Sequence, residues 1–350
     1  MRERPHAASR AWVALSGGVD SAVAAALAIE RGLDVVGVTM VLGVDAGIDN
    51  AVVEAASRVA HTLGIQHRVI DLGEPFETQV VQPFIAEYLA GNTPNPCVVC
   101  NDVVKAGLLL EAALADGADT LVTGHYAGIV QEKDSATLHR GTDARKDQSY
   151  FLYRLVGDRL RHLSFPLGDL NKSQVRALAH ERGLPSAGRD ESQDVCFLGG
   201  GGVESFLQAR GAVEEPGEIV DIEGRALGTH DGISHFTVGQ RKGIGVGGGP
   251  PLYVVRIDAE TNRVVVGSAE ASSVATVRAR DIVWDSTETE LRVQVQVRYR
   301  TPPVDATARF AADRLVVELD SPVTGVAPGQ SLVCYVGDRV VGGGFLTGES

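Results

Sequence analysis

Ser16-Gly17-Gly18-Val19-Asp20-Ser21 is the segment of this chain best suited to hold an anion. A short apolar run, Ala11 to Leu15, precedes it, and a helix-prone stretch, Ala22 to Arg31, follows. The loop therefore joins a strand to a helix start, where backbone N–H groups lack partners and the positive end of the helix dipole emerges. Two adjacent glycines let the main chain curl around oxyanions without a clashing Cβ. Ser16 and Ser21 offer hydroxyls, and Asp20 a carboxylate suited to Mg²⁺ beside phosphates. No lysine lies in the loop, which separates it from the nucleotide loop of GTPases and kinases.

Thiols are the second kind of reactive group. Four cysteines stand at 97, 100, 196 and 334, too few and too scattered for a disulfide framework. Without a secretion signal they are expected as reduced thiols in a cytoplasmic protein. Gly91-Asn92-Thr93-Pro94-Asn95-Pro96-Cys97-Val98-Val99-Cys100-Asn101 reads as a fixed loop between two helices. Cys100 is expected just before a helix running from Asp102 to Ala115, where helix-end N–H groups favour thiolate. Cys196 follows in Ser192-Gln193-Asp194-Val195-Cys196-Phe197-Leu198. Cys97 and Cys100 make half a zinc site at most, since no second pair appears. Cys334, between Val333 and Tyr335, reads as a packed core thiol.

The elements that must hold these groups alternate over the first 200 residues. Strand-like Val35 to Met40, Val69-Ile70 and Thr120 to Thr123 intersperse with helix-like Asn50 to Leu63, Phe76 to Ala90 and Asp102 to Ala115. Such alternation predicts an α/β fold with a doubly wound parallel sheet over residues 1–200. Ligands on such sheets bind beyond the carboxyl ends of the strands. Gly199 to Gly202 reads as a boundary, and short β segments with Gly and Pro punctuation follow. The expectation is a central β-rich domain over 201–272 and a C-terminal β-barrel over 273–350. Leu291 to Arg300 alternates apolar and polar residues, predicting a strand with one wet face carrying Arg292, Arg298 and Arg300. No apolar run approaches the roughly 20 residues of a membrane span, so no membrane partner is expected. The net charge of −13 disfavours phosphate polymers except at a local basic face.

The loop resembles the pyrophosphate loop of the N-type ATP pyrophosphatases, which split ATP into AMP and pyrophosphate. Taken with the two cysteine segments, the chain resembles the tRNA-specific 2-thiouridylase family. Gly124-His125-Tyr126-Ala127, Lys146-Asp147-Gln148-Ser149-Tyr150-Phe151-Leu152, Gly239-Gln240-Arg241-Lys242-Gly243 and Ala327-Pro328-Gly329-Gln330-Ser331 match further family motifs. The resemblance implies that Ala14, Leu15, Ser16, Gly17, Gly18, Val19, Asp20, Ser21, Met40 and Gly124 bind ATP. Cys196 matches the persulfide carrier and Cys100 the partner nucleophile, the two ending as a disulfide. Asn95, Pro96 and Cys97 match the segment that meets the target base. His125, Lys146, Asp147, Gln148, Arg298, Tyr299 and Gln330 match positions contacting tRNA, here its anticodon arm. A cysteine desulfurase or relay protein is the implied sulfur donor.

This sequence departs from the family at Cys97, where many members carry an aspartate. Cys97, Cys100 and Cys196 also suit a [4Fe–4S] cluster with one open iron, so the persulfide and cluster routes both stay open. The segment from Val41 to Asn50 is shorter than in relatives. Two rival functions remain: a small-molecule adenylating enzyme of the same superfamily, and an RNA-binding module with a vestigial nucleotide loop.

Overall fold

The computed structural model describes residues 9–43, 46–185, 195–198, 201–212, 214–247, 249–311 and 314–348. Arg2 and Arg4, Val44 and Asp45, Ser192 to Asp194, and Gly199-Gly200 lie outside them. In chain order the elements are β1 (Arg10–Ala14), α1 (Val19–Glu30), β2 (Asp34–Val41), α2 (Ala46–Leu63), β3 (Gln66–Asp71), α3 (Gly73–Phe76), α4 (Gln82–Leu89), α5 (Pro96–Val99), α6 (Leu110–Ala115), β4 (Thr120–Val122), β5 (Ala127–Gln131) and β6 (Ala136–Arg140). They continue with α7 (Asp158–Arg161), β7 (Leu163–Ser164), α8 (Lys172–Glu181), α9 (Gly202–Ala209), β8 (Gly217–Asp221), β9 (Ala226–His230), β10 (Tyr253–Asp258) and β11 (Arg263–Gly267). The last six are β12 (Ser273–Trp284), β13 (Glu290–Gln296), β14 (Val304–Ala311), β15 (Arg314–Thr324), β16 (Ser331–Val336) and β17 (Arg339–Leu346). Wider π-helical turns, Glu77–Val81 and Cys100–Leu109, join α3 to α4 and α5 to α6.

The chain divides into two compact units: Met1–Val80 with Cys97–Gln193 and Asp338–Val340, and Val81–Pro96 with Asp194–Gly337 and Val341–Ser350. In the first, a five-stranded parallel sheet runs in the order β3-β2-β1-β4-β7. The chain moves outward from β1 through β2 and β3, then returns to β4 on the other flank. That reversal is the switch point at which doubly wound sheets bind ligands, and the loops after β1 and β4 border it. Alanines let α1 lie close on the sheet: Ala22, Ala24, Ala25 and Ala28 pack with Val13, Val35, Val59, Val175 and Ala179.

The second unit holds two β structures. A four-stranded sheet in the order β10-β11-β8-β9 packs around Ile219, Phe236, Val254, Val264 and Val266. Strands β12-β15-β14-β13-β16-β17 close into a six-stranded barrel where β17 pairs back onto β12. Its core includes Val277, Val293, Val295, Leu315, Val317 and Cys334.

Three boundaries differ from expectation. Helical geometry begins at Pro96, not near Asp102, because proline suits a first helical position. Cys97 thus lies in the first turn and Cys100 opens the π-helical stretch, one turn further from the helix end than the sequence suggests. Helix α2 starts at Ala46 rather than Asn50. Strand β13 stops at Gln296 although its alternation continues to Arg300, which takes φ 63° in a tight turn. A period-two pattern marks which face is buried, not where the partner strand ends.

Candidate active site

The anion loop is braced by its own serines and by close backbone neighbours. Gly17 has φ +70°, and a Cβ there would lie 2.9 Å from backbone atoms of Ala55 and Ala56, so glycine is required. Ser21 is buried; its hydroxyl donates to the Gly18 carbonyl at 3.1 Å and accepts from the Ser16 amide at 3.2 Å. Ser21 therefore shapes the loop, while Ser16 stays exposed as a hydroxyl for a ligand. No side chain caps α1, which leaves its leading amides for an anion. Gly124, just beyond β4, closes the other side: a Cβ would lie 2.8 Å from the Asp20 carbonyl carbon and 2.9 Å from the Ser21 amide. Leu15 is buried and its amide donates to Val38 at 2.8 Å, fixing the loop to β2 just ahead of Met40.

The lysine missing from the loop arrives from 152 residues away. Lys172, the first residue of α8, places Nζ 2.8 and 2.9 Å from the two carboxylate oxygens of Asp20. Its side chain is 11% exposed and that of Asp20 33%. The Tyr126 hydroxyl donates to Asp20 at 2.7 Å, and the Lys172 amide donates to Asp143 at 3.0 Å. A capping box between Asn171 and Gln174 fixes the start of α8 and with it the lysine. The sequence gives no role to Lys172 or Asp143, and places Tyr126 in a motif without one. The Asn171-Lys172-Ser173-Gln174 cap was the available signal for a helix start, though not for where it docks.

Thr39 in β2 and His67 in β3 support the strand end that leads into the loop. The Thr39 hydroxyl donates to the Leu15 carbonyl at 2.9 Å, so His67 Nε2, 2.8 Å away, carries the proton and donates. Burial lowers the His67 pKa. His125 lies 2.7 Å from the Thr123 hydroxyl and edge-on to Phe165. Desolvation, then the charge of Lys105, holds His125 well below the usual imidazole range.

The Lys146-Asp147-Gln148 motif turns largely inward. Asp147 accepts from the Gly141 amide at 2.9 Å and from the Ser149 amide and hydroxyl at 3.0 and 2.8 Å. Gln148 accepts from the Tyr126 amide at 2.9 Å and returns a backbone bond to Tyr126. Gln148 thereby holds Tyr126 against Asp20.

In the same unit Cys97 is half-buried and Cys100 buried. Next to Cys100, the Asn101 amide donates to the Phe151 carbonyl at 3.2 Å, while its Oδ1 is buried with no partner among the described residues. Asp102 is held by Arg154 at 2.8 Å and Arg159 at 2.7 Å, which ties this helix to the segment after the Lys146 motif. Cys196, in the second unit, is exposed, but its neighbour Phe197 is buried against Phe84 and Phe206, each with ring centroids 5.1 Å away.

Asn95 and Pro96 are also buried in the second unit. The segment ahead of them is clamped: Gln330 Nε2 donates to the Thr93 carbonyl at 2.8 Å, and the Thr93 amide donates to Pro328 at 2.7 Å. Gln330, matched to a tRNA contact, thus already holds the loop that leads to Asn95. Arg298 is exposed and Tyr299 half-buried. Arg292, by contrast, is spent on Asp320 at 2.7 and 2.9 Å. Cys334 is fully buried, and desolvation pushes its pKa up to about 12. Among the described residues, no three His, Cys, Asp or Glu side chains converge in a group that could hold a metal, and no helix is long and apolar enough to cross a membrane.

Three family descriptions match consecutive segments: a tRNA methyl transferase HUP domain over residues 9–200, a tRNA methyl transferase PRC-barrel domain over 204–268 and an aminomethyltransferase beta-barrel domain over 274–346. The chain is 44% identical to a tRNA-specific 2-thiouridylase MnmA of Paramagnetospirillum magneticum, covering 98% of this chain and 97% of the relative. It is 43% identical to that of Moorella thermoacetica, covering 95% and 98%. A solved structure described as a predicted subunit of tRNA methyltransferase from Methanocaldococcus jannaschii overlaps 58% of this chain and 88% of its own at 20% identity. Its TM-score of 0.37 carries no argument.

Proposed function

The chain belongs to the tRNA-specific 2-thiouridylase family, and from that premise we propose that it replaces the C2 oxygen of the wobble uridine of tRNA with sulfur, consuming ATP. The observation that carries this reading is the loop itself: a glycine-built anion cradle at the switch point, with a buried lysine brought to its acid.

Uracil oxygen is a poor leaving group, so it must first be adenylated. ATP phosphates would lie against the amides of Gly17 to Ser21 and the start of α1, with Ser16 and Lys172 as donors and Met40 beside the adenosine. The uracil O2 attacks the α-phosphorus and pyrophosphate departs. Lys172 stabilises charge growing on the phosphates. One carboxylate plus phosphate oxygens suits Mg²⁺, so Asp20 would hold the ion, which neutralises charge on the departing pyrophosphate when bound.

The terminal sulfur of a Cys196 persulfide then attacks C2 and AMP leaves. Cys100 thiolate attacks the Cys196 Sγ, the S–S bond to the base breaks, and 2-thiouridine is released with a Cys100–Cys196 disulfide. A reductant must reopen that disulfide, and a cysteine desulfurase or relay protein must recharge Cys196. Such a thiol cycle suits the reducing cytoplasm. The alternative route would use Cys97, Cys100 and Cys196 to hold a [4Fe–4S] cluster whose open iron would carry hydrosulfide, and no step is assigned to it. The catalytic domain is assigned to 1–200, and the β-rich domains at 201–272 and 273–350 to gripping the anticodon arm.

Pyrophosphate release tests the reading. It is expected to require unmodified tRNA with uridine at the wobble position and to vanish when cytidine replaces it. Release that needs no RNA would identify a small-molecule adenylating enzyme instead.

A further inference from the structure

One motif has no assigned role: Gly239-Gln240-Arg241-Lys242-Gly243. It is a self-braced turn. The Gln240 side chain accepts from the Thr237 amide at 3.0 Å and donates to the Lys242 carbonyl at 3.0 Å, and its backbone pairs with Val254. This bracing leaves Arg241 and Lys242 pointing outward, both exposed. Arg241 borders an open concavity of about 430 Å³ rather than filling a core.

The turn meets the barrel by direct backbone contact. Gly239, φ +87°, packs so closely on Gly325, φ +73°, that a Cβ on Gly239 would run into the Gly325 Cα. A Cβ on Gly325 would lie only 3.8 Å from Arg298 Nη1. Two positive-φ glycines thus bring Arg298 of the barrel beside the Arg241-Lys242 turn of the central sheet. Among the described residues no carboxylate pairs with any of the three. That is unusual in a chain of net charge −13, where Arg292, Arg309 and Arg263 are each taken by an acid at 3.0 Å or less.

Uncompensated cations held on a rigid joint repel one another and are retained where an outside anion offsets the cost. We propose that Arg241, Lys242 and Arg298 form one phosphate-binding face that tracks the tRNA backbone across both β structures. The proposal rests on the tRNA reading above and extends it from Arg298 to the Gly239–Gly243 turn. Contacts of this kind set affinity and orientation, not sequence choice.

Salt dependence of tRNA binding tests it. Each phosphate neutralised contributes about 0.7–0.9 to the slope of log K against log salt. Between 50 and 300 mM KCl, Arg241→Gln with Lys242→Gln is expected to lower the slope by about 1.5, and Arg241→Lys with Lys242→Arg to preserve it. Arg292→Gln, removing a charge already cancelled, leaves the slope unchanged. Each single Gln variant, with an unaltered circular dichroism spectrum, should lose about half the effect. A native-like double Gln variant with the wild-type slope overturns the proposal. So does a variant that binds tRNA normally but loses turnover with a protein sulfur donor, which would make the face a protein-docking site. Failure of wild type to bind tRNA would instead sink the function above.

Discussion

The first unit and the barrel use the same two chemistries to opposite ends. Each holds a lysine or arginine on an aspartate within 2.9 Å, and each holds a buried thiol. On the barrel, Arg292 and Asp320 are 61% and 49% exposed, where water screens most of an ion pair's attraction. At the loop, Lys172 is nearly enclosed and fixed by a helix cap, so its charge is aimed and little screened. Cys334 sits among valines and leucines on a barrel strand with its proton held on, whereas Cys100 begins the π-helical stretch after α5. For the two cations the difference lies in the wall around them; for the two thiols it lies in the element that carries them, a helix against a barrel strand.

Substitutions in matched positions sharpen that contrast. The largest difference is expected between thiols: Cys100→Ser should reduce thiolation by more than about 10³-fold, as for loss of a nucleophile. Cys334→Val should leave turnover within about twofold, with a stability change near 1 kcal/mol. Steady-state thiolation and thermal melts check both.

For the cations, Lys172→Gln should lower RNA-dependent pyrophosphate release by about 10²–10³-fold, the usual loss for an aimed electrostatic donor. Arg292→Gln should change it less than twofold. Equal effects would mean that enclosure is not what matters. At Cys97, where many relatives carry aspartate, Cys97→Asp should change turnover by less than about tenfold. Iron and sulfide in anaerobically purified protein should be the same before and after. Iron lost on that substitution would argue for the cluster route.

The smallest effect concerns pH. His125 has its folded pKa lowered below the ordinary 6.5, so the unfolded chain binds more protons in the window between the two. Stability is complete above the ordinary value and falls as pH drops through the window toward the lowered one. His125→Asn should flatten the loss of melting temperature between about pH 6.5 and 5 by a few degrees.

Much of this was legible in the residues because it was local. The Ser-Gly-Gly loop carries its own signature, and β–α alternation specifies the parallel sheet. Cys334, between Val333 and Tyr335 in a β run, announces its burial. What the sequence hid was long-range. Lys172 reads as an ordinary surface residue until α8 docks it on Asp20, and Asp147 and Gln148 read as outward contacts until Gly141 with Ser149 takes the one and Tyr126 the other. The start of the cysteine helix was misplaced because Pro96 was read as a loop residue although it is also a helix opener. Arg298 and Arg300 continue the alternation of a strand that ends at Gln296, just past the point where β14 begins at Val304 opposite Val295.

The central claim is that sulfur reaches the uridine through Cys196 after ATP has activated the base. Mass spectrometry of nucleosides from tRNA treated with wild type and with Cys196→Ser, both given ATP and a sulfur source, tests it most directly. The account predicts 2-thiouridine from wild type and none from the variant, with ATP binding intact in both. Equal 2-thiouridine from the two proteins would contradict it.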